Sequence, residues 1–201
     1  VFGAEDAAHT LITGGDENAR HAFLHTIISD IISSYHADDA EIWLLDYEKT
    51  AFARYLNDKT AHIRFISLEN AMEFTESFIG FLHKFFSRRE YVCGNRNAAD
   101  LKEYREKYGT RSMPRVFLVV NGFETMTRSF TGNIVLRNLL EHALTEFSKY
   151  GLSCIFASKT ADSLLGFTES GREQIDHRIA MMNTVEEIQN TLSLYDFDED
   201  K

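Results

Sequence analysis

Residues 9–32 read HTLITGGDENARHAFLHTIISDII. A short apolar strand around Leu11 and Ile12 runs into Gly14 and Gly15. Beyond them Phe23, Leu24, Ile27, Ile28, Ile31 and Ile32 recur at helical spacing. Strand, glycine loop and helix in this order form the frame of a phosphate-binding loop, G-x-x-x-x-G-K-[ST]. On that pattern Gly14 takes the first glycine, Ala19 the second, Arg20 the lysine and His21 the hydroxyl residue. Gly15, Asp16, Glu17 and Asn18 fill the interior. The frame is kept, and the side chains that carry its chemistry are replaced.

Downstream, the chain alternates apolar strands with amphipathic helices. Strands are expected at 41–46, 62–66, 115–120, 152–157 and 178–182, and helices at 69–89, 98–108 and 131–150. Residues 93–97 read as a loop, and a short helix is expected at 51–55. In the first long helix Met72, Phe74, Phe78, Ile79, Leu82, Phe85 and Phe86 share a face and read as core. The run RVFLVV at 115–120 is apolar throughout, as a central strand covered on both faces must be. Gly151 is placed to cap the helix before it, and Thr184 with Glu187 fits a capping box opening a last short helix. Such alternation gives an α/β fold with a mostly parallel central sheet and helices on both faces.

Composition sets the outer limits. A chain of 201 residues, 44% hydrophobic, suits one domain with a full core. We assign it to 1–195, with an acidic tail at 196–201. It starts at Val1 and its five methionines are internal, so it reads as a piece of a longer protein. No apolar run approaches the roughly 20 residues of a membrane-spanning helix. Two cysteines far apart, Cys93 and Cys154, without ligand spacing, fit a reducing, cytoplasmic setting. The net charge is −10, yet residues 84–115 hold nine Lys/Arg against four Asp/Glu. An acidic body argues against a broad nucleic-acid surface, and this basic helical insertion is the one place for such contact. Solvated helix faces are the simpler account of it.

Six segments in this order resemble the RecA-like motor domains of the FtsK/SpoIIIE family, DNA-pumping hexameric ATPases, and their type VII secretion relatives. They are HTLITGG, EIWLLDYEKTAF, the Arg88–Arg89 pair on the long helix, MPRVFLVVNGFE, YGLSCIFASKTAD and HRIAMM. The resemblance runs from residue 9 to about 182 and implies a P-loop NTPase fold. It implies ATP and magnesium as the family's cofactors. It also makes Asn121 and Gly122 the Walker B positions, usually Asp-Glu, and Lys159 the position of a glutamine that senses the γ-phosphate. Arg88 and Arg89 become candidate contacts to a polymer or a neighbouring subunit.

Residue chemistry pulls against activity. Asp16 and Glu17 put carboxylates where phosphates would lie, and like charges ~4 Å apart repel by several kcal/mol even at a surface-like dielectric. Either acid could instead cap the helix. Ala19 adds a Cβ, Arg20 replaces a compact ammonium with a planar fork, and His21 offers magnesium no hydroxyl. Asn121 lacks the charge to anchor magnesium's water shell, and Gly122 leaves no general base. Arg20, Lys159 and the Gly14 and Gly15 amides could hold a smaller anion. Asp46, at a strand end, reads as a loop anchor. His9, His25, His36, His62, His83, His142 and His177 show no ligand spacing, so no metal centre is expected.

Together these observations predict a degenerate, non-hydrolysing copy within a multi-domain translocase or type VII secretion motor, acting as a binding or regulatory module without ATP. Its partners would be neighbouring motor domains of the chain or ring, and a secreted-substrate peptide or DNA. This piece would make no direct membrane contact, in a parent protein that could carry a membrane anchor. The alternatives are an active ATP-dependent DNA translocase with divergent Walker motifs, and a structural module for ring assembly.

Overall fold

The computed structural model describes residues 9–57, 60–181 and 184–192. The expected strand end at Met182, the Glu187 side chain of the capping box and the 196–201 tail lie outside what is described. The elements run β1 (Thr10–Gly14), α1 (Glu17–Ser34), β2 (Ala40–Asp46), β3 (Ile63–Ser67), α2 (Met72–Asn95) and α3 (Leu101–Tyr108). They continue with β4 (Arg115–Asn121), α4 (Phe123–Arg128), α5 (Ile134–Phe147), β5 (Leu152–Ser158), α6 (Glu169–Glu173), β6 (His177–Met181) and α7 (Val185–Leu192). Short 3-10 turns connect several of them, one at Ala53–Asn57 beside the helix expected at 51–55.

All six described strands lie in one sheet, in the order β3-β2-β4-β5-β1-β6, and every neighbouring pair is parallel. Two-residue periodicity then sorts the core into two layers. In β4, Val116, Leu118 and Val120 join one cluster while Phe117 and Val119 join the other. Trp43 and Leu45 of β2, with Cys154 and Phe156 of β5, belong to the first layer, under α2, α4 and α5. Ile42, Leu44, Ile155 and Ala157 belong to the second, under α1 and residues 51–55. The edge strands β3 and β6 are only partly buried, as the alternation of His62 and Arg64 with apolar residues requires for β3.

Three expectations need correction. Residues 93–95 are not a loop: α2 runs to Asn95, because Cys93 is fully buried in a small cluster with Ala98, Leu101 and Met113. Met72, read as core, is 52% exposed at the first turn of α2, ahead of the buried face that starts at Thr75. The helix read over 131–150 begins only at Ile134, where Asn133 caps it by accepting from the Leu136 N–H.

Candidate functional site

Parallel register brings the sequence-predicted site residues to the C-terminal edge of the sheet. Asp46 at the end of β2 lies opposite Asn121 at the end of β4, Asn121 opposite Ala157 of β5, and Thr13 of β1 opposite Ser158. Folds of this class bind ligands at that edge. Gly14, Asn121, Gly122 and Lys159 therefore converge, although up to 145 positions separate them in sequence.

The loop after β1 is short. Helix α1 begins at Glu17, so only Gly15 and Asp16 separate strand from helix, and Asn18, Ala19, Arg20 and His21 are already helical. Asp16 is the N-cap: its carboxylate accepts from the Ala19 N–H at 2.8 Å, and its carbonyl accepts from the Arg20 N–H at 3.1 Å. The Gly14 N–H donates to the Lys159 carbonyl at 3.1 Å. Gly14 and Gly15 have φ of 74° and 66°, a left-handed pair that turns the chain sharply out of the strand. Arg20 fills the hollow that results. It is 3% exposed, and its Nη1 donates to the carbonyls of Gly15 at 2.8 Å and Gly14 at 3.2 Å.

These contacts stand against Arg20, Lys159 and the Gly14 amide holding a small anion. Nη1 of the guanidinium is taken by the loop's own carbonyls, and the Gly14 amide by the residue that follows β5. The Lys159 ammonium sits 2.9 Å from Glu48 Oε1.

At the second strand end, Asp46 is fully buried and organises its surroundings, as an anchor should. One carboxylate oxygen accepts from the Ala51 and Phe52 N–H groups, each at 2.8 Å. The other accepts from the Glu48 N–H at 3.3 Å and from Asn121 Nδ2 at 2.8 Å. Asn121 Oδ1 has no partner among the described residues. Gly122 is left-handed (φ 76°), and a Cβ there would stand 2.8 Å from Glu48 Cγ. Glu124, at the first turn of α4, accepts from the Ser158 hydroxyl at 2.9 Å.

Glu17, His21 and Glu48 come together with ligand atoms within 4.8 Å of one another, the described group best placed for a metal ion. Spacing did not reveal it, because Glu48 lies on the connection after β2. The Lys159 ammonium on Glu48 opposes a cation there, and Thr50 Oγ1 is 3.4 Å from His21 Nε2.

Arg88 and Arg89 diverge. Arg88 is exposed on α2, whereas Arg89 is 7% exposed over the rings of Phe85 and Phe86 and donates to the Tyr150 carbonyl at 3.1 Å. Burial pushes the Arg89 guanidinium down to about 10, against the pull of Glu41. Of the two, Arg88 alone is exposed.

Comparison with known proteins bears on this geometry. No protein-family model matches the chain. It is 22% identical over 129 residues, 64% of its length, to the type VII secretion system protein EssC of Staphylococcus aureus strain MRSA252. The chain spans only 8% of that relative. Among solved structures, EssC (ATPases 2 and 3) from Geobacillus thermodenitrificans superposes with a TM-score of 0.72 at 12% identity. That match covers 92% of this chain and 34% of the other. Thermomonospora curvata EccC (ATPases 2 and 3), solved with a signal sequence peptide, gives 0.67 at 17% identity, covering 86% and 30%. The chain has the fold of an FtsK/SpoIIIE-type, RecA-like ATPase domain.

Within this FtsK/SpoIIIE-type fold, β1 with α1, the end of β4 and the end of β5 lie together at the C-terminal edge of the sheet. Sequence reasoning missed Glu48, on the connection after β2, and Glu124, on the short α4, since each acts through a residue at the end of β5 or just beyond it. It also missed α4 and α6, which at 6 and 5 residues are too short to show a helical period.

Proposed function

We propose that the chain is a non-hydrolysing FtsK/SpoIIIE-type domain within a larger type VII secretion motor, where it serves as a binding or regulatory module. One observation carries this reading: only two residues separate Gly14 from α1, so the segment that would wrap a triphosphate is already helix, and Arg20 closes the turn that remains. A phosphate cradle needs free backbone N–H groups pointing at the ligand. Here the amides of Gly14, Ala19 and Arg20 are hydrogen-bonded within the protein. The Walker B places add a neutral amide bonded to Asp46 and a glycine with no room for a side chain. Magnesium and ATP do not fit these residues, and phosphoryl transfer, which works by positioning and electrostatics, has nothing to act through.

The proposal extends to setting. The unit is a single domain over 1–195 with 84–115 as a basic helical insertion, flanked by other motor domains of its parent and facing the cytoplasm. No described helix is long and apolar enough to cross a membrane. The EccC structure with a signal sequence peptide makes a secreted-substrate peptide the first ligand to try, ahead of DNA. Calorimetric titration with Mg-ATP, beside a phosphate-release assay, is the direct test. We expect no heat of binding and no turnover, and micromolar binding would refute the reading.

A further inference from the structure

The opposite edge of the sheet carries a feature that the nucleotide-site reading leaves unused. At the N-terminal ends of β2 and β4 a cavity of about 360 Å³ has Tyr35, Asp39, Lys102, Arg105, Glu106 and Arg115 among its lining residues. Arg115 opens β4, its N–H donating to the Asp39 carbonyl at 2.9 Å, and the residue is 9% exposed. Its guanidinium has no hydrogen bond or ion pair among the described residues, while every other buried cation has one. Arg20 holds the Gly14 and Gly15 carbonyls, and Arg89 holds that of Tyr150.

Arg105 stands beside it on α3. It donates to the Thr110 carbonyl at 2.8 Å and reaches Asp39 Oδ1 at 3.4 Å. Burial, and then the Arg115 charge, push the Arg105 guanidinium down, with Asp39 pulling the other way. The Asp39 carboxylate thus pairs with Arg105 and not with the neighbouring Arg115 guanidinium, and Lys102 brings a third cation to the same wall. With no protein partner, the Arg115 guanidinium is open to the cavity it lines, and planar guanidinium forks match the oxygens of a phosphate in pairs. The cavity lies at the small end of the range for small-molecule sites.

We propose that this cavity is a binding site for a small phosphate-type oxyanion, inorganic phosphate or a compact phosphomonoester, gripped by Arg115 and Arg105 with Lys102 at the mouth. It is separate from the nucleotide edge and stands whether or not that edge binds ATP.

The test is titration of the isotopically labelled chain with sodium phosphate at constant ionic strength, following the arginine Nε–H signals and the melting temperature. Saturable movement of the Arg105 and Arg115 signals with a raised melting temperature is expected, as is at least tenfold weaker binding in Arg115→Gln. Glu106→Gln removes an acid from the exposed wall and should tighten binding several-fold, a gain that mere loss of fold cannot mimic. It keeps the test decisive if the Arg115 variant does not fold. Glycerol 3-phosphate in place of phosphate separates the two sources, since tighter binding of the ester points to an organic ligand. Equal response to sodium chloride, unchanged affinity in both variants, or tighter binding of a hexaglutamate peptide than of phosphate would each overturn the proposal.

Discussion

Position 121 shows how a single substitution is held in place by its neighbour. Asp46 already takes three backbone N–H groups, and the Asn121 amide supplies its fourth donor at 2.8 Å. An aspartate there would press a second carboxylate against a fully buried one. Asn121→Asp is therefore expected to lose about 3 kcal/mol at neutral pH, measured by denaturant unfolding, without gaining magnesium binding. The double change Arg20→Lys with His21→Thr restores the loop's side-chain chemistry but leaves α1 starting at Glu17. It should still give no heat with Mg-ATP, and binding in that variant would mean the loop reopens easily. His9 sets a pH limit. It is buried, its Nδ1 accepts from the Cys154 N–H at 3.0 Å, and its Nε2–H donates to the Leu144 carbonyl at 2.9 Å. Burial holds its pKa below 6.5, outweighing the upward pull of Leu144 and Asp176. The unfolded chain then binds the extra proton first, so the stability His9 contributes is complete above about pH 6.5 and is lost as pH falls through its lower folded value. Thermal melts from pH 8 to 5 should show this slope, reduced in His9→Gln.

Among the elements, α1 and α4 illustrate two ways of starting a helix at a strand end. The first uses a side chain, Asp16, and Asp16→Ala should lower stability by about 1 kcal/mol in chemical denaturation. The second uses backbone shape. Gly122 turns left-handed and α4 follows at once, seating Phe123 on Phe156 with ring centroids 4.0 Å apart. Phe123→Ala should cost about 3–4 kcal/mol, because a fully buried ring leaves a cavity under the sheet. Helix α2 makes the reverse point. Its Cys93–Asn95 turn contains Gly94 and resembles a loop in sequence, yet burial of Cys93 against Ala98, Leu101 and Met113 keeps the helix going. Local propensity of about 1 kcal/mol for one glycine is smaller than that burial.

For the whole molecule, stability should be graded from the centre of the sheet outward. Strands β4 and β5 are buried at every position, whereas β3 and β6 lie at the edges with partial exposure. Amide hydrogen exchange should therefore be slowest across Val116–Val120 and Cys154–Phe156, approaching global unfolding, and faster in His177–Met181 by several orders of magnitude. Equal protection in β6 and β4 would contradict this layering. The sequence by itself determined the α/β class, the order of strands and helices, the all-apolar central strand and the replaced loop chemistry. Periodicity and residue type are local quantities, and these features depend on nothing else. Tertiary structure alone decided that Arg20 turns inward onto its own loop, that Asp46 claims Asn121 from 75 positions away, and that Arg89 is buried while Arg88 is not. It also assembled Arg105, Arg115 and Asp39 around one cavity. Each of these is a choice of hydrogen-bond or charge partner that depends on register and packing and leaves no periodic trace in the chain.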